Sequence, residues 1–229
     1  MSEFEIIINT SLITSHMALK KKDFIEIDYT GRLKEDNSVF DTTLEQVAKD
    51  EKFNNPETKY SAQIICLGEN QIVKGLEDNL VGKELGEYRF EIKTEDAFGK
   101  KDAKLIQLVP TKKFLDNKIQ PVPGLVLNID GMIGTVKTVS GGRTVVDFNH
   151  PLSGKEVVYN VKINKIVTDV AEKTKAVMEW IGLRESKFEI KDEELTIKTL
   201  EDIPKEIKAR FETKLKELLN LKKVEFVKA

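Results

Sequence analysis

Alternation of apolar and polar side chains dominates the first hundred residues. Phe24-Ile25-Glu26-Ile27-Asp28-Tyr29 repeats with period two, the pattern of a half-buried strand, and Gly31 to Asn37 suits a turn before Val39-Phe40. Asp41 to Asn55 is polar and turn-rich, and strand character returns from Tyr60 to Leu67. Ile72, Val73, Leu76 and Leu80 then fall at helical spacing, which predicts a short amphipathic helix closed by Gly82. Tyr88 to Thr94 alternates again.

The character changes between about 102 and 148. Pro110-Thr111-Lys112-Lys113-Phe114-Leu115 predicts one helical turn opened by proline. Three short β-runs follow, Leu125 to Ile129, Met132 to Val139 and Arg143 to Phe148, with Gly141-Gly142 as a hairpin turn. Val122 and Phe148 are expected in the core of this small, nearly all-β module, which is marginal by its size unless a larger domain anchors both its ends. The alternating run Lys155 to Ile163 is expected to complete the first domain's sheet. Beyond about 169 the order is helix, strand, strand, helix, strand. Ala171 to Ile181 is helical, and Lys187–Ile190 pairs with Glu194–Lys198 around Lys191-Asp192-Glu193. The strongest helix runs over about 204–220, where Ile203, Ile207, Phe211, Leu215 and Leu218/Leu219 recur every three to four residues behind Pro204. The expected organisation is a first domain of residues 18–101 plus 149–168, an insert at 102–148, and a separate α+β domain at 169–229 that pairs as a homodimer.

Composition works mainly by exclusion. The 229 residues carry 37 Lys/Arg against 39 Asp/Glu, so a net charge of −2 offers no electrostatic footprint for nucleic acid or an anionic membrane. A single cysteine, Cys66, sits in the apolar run Ile64-Ile65-Cys66-Leu67 and reads as a small buried hydrophobe. His16 and His150 have no second histidine, cysteine or aspartate at ligand spacing, so neither a catalytic triad nor a metal site is expected, and no cofactor. Phe4 to Thr10 and the string Thr14-Ser15-His16-Met17 read as a vector-derived leader at 1–17, without the basic n-region of a signal peptide; the expected location is cytoplasmic.

Four strings now coincide. Asp28-Tyr29-Thr30-Gly31 followed by Val39-Phe40-Asp41 resembles the opening of FKBP-type peptidyl-prolyl isomerases. Leu67-Gly68 with Ile72-Val73-Lys74-Gly75-Leu76-Glu77 resembles their central strand-to-helix segment, and Asp96-Ala97-Phe98-Gly99 their Asp-x-Tyr-Gly flap. Asn149-His150-Pro151-Leu152-Ser153-Gly154 is similar to the Asn-His-Pro-Leu-Ala-Gly string of SlyD-type members, which insert a chaperone module at the flap. The resemblance covers roughly 22–167, and the extended C-terminal part looks like the long archaeal form.

That resemblance implies an FKBP-like antiparallel half-barrel around a short helix, within an α+β chain. It implies an apolar cavity lined by Tyr29, Phe40, Ile65, Ile72, Val73, Leu76, Phe98 and Tyr159, with Asp41 at the rim and the Val73 N–H available to the substrate carbonyl. Leu76 stands where drug-binding relatives have Trp, and Phe98 where Tyr is usual, so modest activity is expected. The implied partners are unfolded or nascent proteins containing X-Pro bonds, and Phe114, Leu115, Val126, Ile129, Met132 and Ile133 of the insert are the expected client-binding side chains. The chain ends without a His/Cys-rich tail, so metal delivery is not carried over. Two rival readings are a holdase with a degenerate prolyl pocket and a small β-barrel for single-stranded nucleic acid; few aromatic residues and neutral charge disfavour the second.

Overall fold

The computed structural model describes residues 18–52, 58–129, 131–199 and 202–228; the leader expected at 1–17 lies outside the described residues. In chain order the elements are β1 (Phe24–Leu33), β2 (Val39–Thr42), α1 (Glu45–Asp50), β3 (Gln63–Cys66), α2 (Lys74–Leu80), β4 (Gly86–Ile92), β5 (Ile106–Pro110), α3 (Thr111–Asp116) and β6 (Val126–Ile129). They continue as β7 (Met132–Ser140), β8 (Arg143–Asp147), β9 (Val157–Ile166), α4 (Val170–Trp180), β10 (Lys187–Lys191), β11 (Glu194–Thr199), α5 (Lys205–Leu219) and β12 (Lys223–Lys228). The chain divides into two compact units, one from the described residues up to Gly31 with Val39–Phe90 and Tyr159 onwards, the other from Arg32–Ser38 with Glu91–Val158.

The first unit is built on β1. Its sheet runs β2-β1-β9-β4, and β3 pairs antiparallel with the start of β1, Ile25 opposite Ile65 and Ile27 opposite Gln63. Alternation sends Ile25, Ile27 and Tyr29 to one face, where they are buried. Helix α2 starts where the turn after β3 is tied down by the buried Glu77 carboxylate, which accepts hydrogen bonds from the Gly68 and Glu69 N–H groups at 2.9 and 3.2 Å. Gly82 ends it at φ +83°, a conformation glycine adopts without strain. Helix α1 falls in a stretch that the pattern leaves as turn. Only Ala48 of its six residues is buried and a Glu45–Lys49 ion pair at 2.6 Å braces its outer face, so no apolar stripe marks it.

The C-terminal elements belong to this same unit. Asp169 caps α4 by accepting from the Glu172 N–H at 2.8 Å, and Asn220 ends α5 in the left-handed region. The β10–β11 hairpin turns through Asp192 and Glu193, both at positive φ, and α5 is the crossover that brings β12 parallel to β11. Val177, Leu195, Ile197 and Leu215 form the buried centre, and Phe24 and Cys66 pack into it. Phe24 stacks on Trp180 with ring centroids 5.7 Å apart. The pattern change at 169 marks a change of element order, while the core beneath it is shared with β1 and β3.

The second unit carries a four-stranded antiparallel sheet in the order β5-β8-β7-β6. Gly141 and Gly142, both at positive φ, turn β7 into β8 as the hairpin signal requires. One sheet face packs on α3 through Phe114, Val136 and Val146, with Val109, Leu127, Ile129 and Phe148 around them. Gly134 is needed there, because a Cβ would lie 2.6 Å from Val146 Cγ1. Two expectations are corrected. Phe114, expected to face clients, is 4% exposed and centres the core because the short α3 presents it to the sheet; Ile129 likewise packs inward. Val122, expected in the core, is exposed, since Pro121 is the buried residue of that turn.

Asp147 clamps the two ends of this sheet's connections. Its carboxylate accepts from Lys101 Nζ at 2.9 Å and from the Asn149 N–H and side-chain amide at 3.0 and 2.8 Å, while Asn149 bridges back to the Asp102 N–H at 2.8 Å and carbonyl at 3.0 Å. Burial alone would raise the Asp147 pKa, but these donors override it and hold the carboxyl down at about 2. Its folded value lies below the ordinary unfolded one of about 3.9, so its stabilisation is complete above that pH and disappears as pH falls towards 2.

Two outcomes follow. Leu215→Ala empties a site of 0% exposure at the shared core, and chemical denaturation should show a loss of about 2–5 kcal/mol, with faster amide exchange at β1 as well as α5; exchange confined to α5 contradicts a shared core. For Asp147→Asn, the stability gap to the parent chain should narrow between about pH 4 and pH 2 in acid titrations; a constant gap rules out the ionised clamp.

Candidate active site

β1, β2 and β9 place three aromatic rings around one glycine. Tyr29 points inward from β1, Phe40 comes from β2, and Tyr159 comes from β9 on the other side of β1. Tyr159 meets both partners edge-on, its centroid 5.9 Å from Tyr29 and 5.7 Å from Phe40. Gly31 lies under this group, where a Cβ would come within 2.6 Å of Phe40 Cζ and 3.0 Å of Tyr159 Cε1. The glycine is therefore fixed by close approach rather than by its backbone angles.

The Tyr29 hydroxyl donates to Asp41 Oδ2 at 2.9 Å, and the Gln63 side chain from β3 adds a second hydrogen bond to it. Burial, then the Asp41 carboxylate, push the Tyr29 pKa well above the ordinary tyrosine value, so this hydroxyl remains a donor; burial and Asp41 do the same to Tyr159. Asp41 is held at the exposed rim by its neighbours. Thr42 Oγ1 donates to the Tyr29 carbonyl at 3.0 Å, Thr43 Oγ1 donates to Asp28 and accepts from the Tyr29 N–H at 2.9 Å. Both threonines are buried. Asn164 Nδ2 completes the lattice, donating to Asp28 Oδ2 at 2.8 Å.

The other residues named from sequence divide by depth. Ile65 of β3 and Leu76 of α2 are buried at 2% and 0%, Ile65 opposite Ile25 of β1. Ile72 and Val73 are half-buried at the start of α2, with the Val73 carbonyl accepting from the Leu76 and Glu77 N–H groups. Phe98 belongs to the second unit. There its ring stacks on His150 at 4.9 Å, its carbonyl accepts from Ser153 Oγ at 3.1 Å, and the Gly99 carbonyl accepts from the Gly154 N–H at 2.8 Å. Thr42, Thr43 and Gln63 were not marked by sequence reasoning, and Gly31 entered it only as the start of a turn and the end of the Asp28-Tyr29-Thr30-Gly31 string; the run Asp41-Thr42-Thr43 was the signal for the two threonines, since hydroxyls beside a turn aspartate commonly bond the backbone. Cys66, the one thiol, is pushed up to about 12 by burial and by Glu69, and offers no nucleophile.

In the second unit, the sheet face opposite Phe114 carries a set of exposed aliphatic residues. Register puts Ile106, Asp147, Thr135 and Val126 in one row across β5, β8, β7 and β6, with Leu108 beside Val145 and Ile133 beside Asn128. Val126 and Ile133 are 60% and 67% exposed, and Ile106 and Leu108, missed by the sequence reading, are exposed beside them.

Residues 16–120 match the family described as FKBP-type peptidyl-prolyl cis-trans isomerase, and 107–152 match FKBP26, IF domain. A short-type peptidyl-prolyl cis-trans isomerase of Methanocaldococcus jannaschii is 32% identical over 149 residues, 65% of this chain and 94% of that one. An FKBP-type 16 kDa peptidyl-prolyl cis-trans isomerase of Escherichia coli is 31% identical over 105 residues, 44% of this chain and 70% of that protein. The SlyD isomerase of Helicobacter pylori is 31% identical over 101 residues, 42% and 55% of the two chains. With its α+β fold and antiparallel sheets, this chain belongs to the FKBP-type peptidyl-prolyl cis-trans isomerases, alongside the SlyD-type members.

Proposed function

We propose that this isomerase turns X-Pro bonds of incompletely folded polypeptides in the hollow walled by Tyr29, Phe40 and Tyr159, and holds those polypeptides on its inserted sheet. The observation that carries the reading is the aromatic group packed around Gly31 with a hydroxyl–carboxylate pair at its rim. Rotation about an X-Pro bond must break amide resonance against a barrier of about 18–20 kcal/mol, and unaided it takes tens to hundreds of seconds. No bond to the enzyme is needed. An apolar wall disfavours the planar, dipolar form of the imide more than the twisted one, and so lowers the barrier. A ten-thousand-fold acceleration needs about 5.5 kcal/mol, within reach of proline burial plus one or two hydrogen bonds to the carbonyl. Ile65, Ile72 and Leu76 support that wall in this reading, the Val73 N–H receives the substrate carbonyl, and Asp41, oriented by Tyr29, faces the twisting group.

Client holding is assigned to the outer face of the β5-β8-β7-β6 sheet, where Ile106, Leu108, Val126 and Ile133 are exposed; Leu115 on α3 and Met132, paired with Ile129, are exposed but belong to the other side of the sheet. Because that face and the prolyl hollow share one chain, a captured segment meets the isomerase at raised effective concentration. A cytoplasmic setting and a homodimer through the C-terminal elements complete the proposal. Among the described residues no helix is long and apolar enough to cross a membrane.

Proline-limited refolding of a test protein, followed by fluorescence, checks the hollow. Phe40→Ala should slow the catalysed phase by at least about tenfold. Gly31→Ala should also slow it while costing about 1–3 kcal/mol, because Phe40 must swing away from the new methyl; full activity in both variants rejects the hollow as the site. The double change Leu108→Ser with Ile133→Ser should weaken action on an unfolded protein roughly tenfold and leave turnover of a short X-Pro peptide unchanged. Equal effects on both substrates count against the sheet face as the holding surface.

A further inference from the structure

Between β3 and α4 lies a cleft of about 570 Å³, within the size range of ligand sites, that the isomerisation chemistry does not use. Its walls are Gln63, Ile64 and Ile65 of β3 on one side and the α4 residues from Glu172 to Trp180 on the other. β3 is an edge. It pairs with β1 alone among the described strands, and the hydrogen-bond phase shows which of its backbone groups point away from β1. The Leu67 N–H bonds to the Asp23 carbonyl, whereas the Phe24 carbonyl is taken from the opposite side by the Val167 N–H. The odd residues of β3 therefore bond inward to β1, and Cys66 and Ile64 point their backbone groups outward. Gln71 Oε1 takes the Cys66 N–H at 2.7 Å, and the Glu69 N–H takes its carbonyl. Ile64 is left with an outward N–H and C=O that meet no partner among the described residues, one open rung for an added strand.

The charges around that rung are unbalanced. Lys59, Lys175 and Arg184 line the cleft and form no ion pair among the described residues, while Glu172 is already engaged by Lys165 at 2.9 Å. Glu179 alone opposes the three cations. Trp180 supplies an aromatic wall, held in place by its stack on Phe24. The cleft is linked to the proposed prolyl hollow through Gln63, which lines the cleft and bonds the Tyr29 hydroxyl.

The geometry points to a binding site for an extended, acidic stretch of polypeptide, added edge-on to β3 at Ile64 with its carboxylates on Lys59, Lys175 and Arg184. For a client this stretch is the flank of the isomerised proline, a clause that rests on the proposed function; the cleft's own ligand chemistry does not. Strand addition supplies main-chain affinity without reading every side chain, and the cations select acidic flanks.

Trp180 is the chain's only tryptophan, so its emission reports on this cleft directly. The full chain is titrated with a proline-free peptide of alternating Glu and Val, and with its Lys–Val counterpart. The acidic peptide should shift Trp180 emission saturably, weakening as salt is raised, and the basic one should not. Lys175→Glu with Arg184→Glu, both at exposed positions where the fold tolerates reversal, should raise the acidic peptide's dissociation constant at least tenfold. That variant should leave turnover of a short neutral X-Pro peptide unchanged. No emission change with the acidic peptide, or an equal response to the basic one, overturns the proposal. So does a Trp180 signal that changes only on dilution of the protein, which assigns the cleft to a second copy of the chain. Because the peptide lacks proline, loss of isomerase activity in Phe40→Ala with retained emission response would separate failure of the two sites.

Discussion

Period-two alternation along Phe24–Leu33 forces a single strand to serve two faces of the first unit. Ile25, Ile27, Tyr29 and Gly31 share one face, and there Tyr29 and Gly31 meet Phe40 and Tyr159. Phe24 points the other way, into the core made with α4, α5 and β11. A slip of one residue in the pairing of β1 would exchange these faces, taking Tyr29 from Asp41 and Phe24 from Trp180 together. The lattice of Thr42, Thr43, Asp28 and Asn164 hydrogen bonds around Tyr29 fixes that register with directional contacts where apolar packing alone would tolerate sliding.

On the proposed reading, this arrangement lets the chemistry be carried by few polar groups. The aromatic rings need only be held in place, because the barrier to be lowered is that of amide conjugation and not of bond cleavage. Asp41, the charged group at the rim of the proposed hollow, is positioned by a tyrosine whose burial keeps its proton. The Cys66 thiol is sealed in the core that β3 shares with the C-terminal elements.

Much of the fold was legible in the sequence where periodicity is strong. The alternation of β1 and β9, the helical spacing of α2 and α5, and the two glycines between β7 and β8 each predict the element found. Helix α1 was not legible, since a helix with one buried residue leaves no stripe. Depth in the insert was also hidden: with three core residues and several partial neighbours, Phe114 and Val122 look alike in sequence, and only the docking of α3 separates the buried one from the exposed one. At the hollow, the aromatic residues and Asp41 were named from a resemblance. Gly31's close approach and Gln63's bond to Tyr29 depend on pairing across β1, which no local pattern records. The shared core was invisible for the same reason, as Phe24 and Leu215 are distant in sequence.

The central claim is that a proline ring sits among Tyr29, Phe40 and Tyr159 while its peptide bond rotates. Exchange spectroscopy on a short X-Pro peptide, with aromatic carbons of the enzyme labelled, tests it most directly. The account predicts that substoichiometric enzyme produces cis–trans exchange cross-peaks, and that the rings of Tyr29, Phe40 and Tyr159 shift as peptide is added. Exchange accompanied by shifts only at aromatic rings elsewhere in the chain would contradict it.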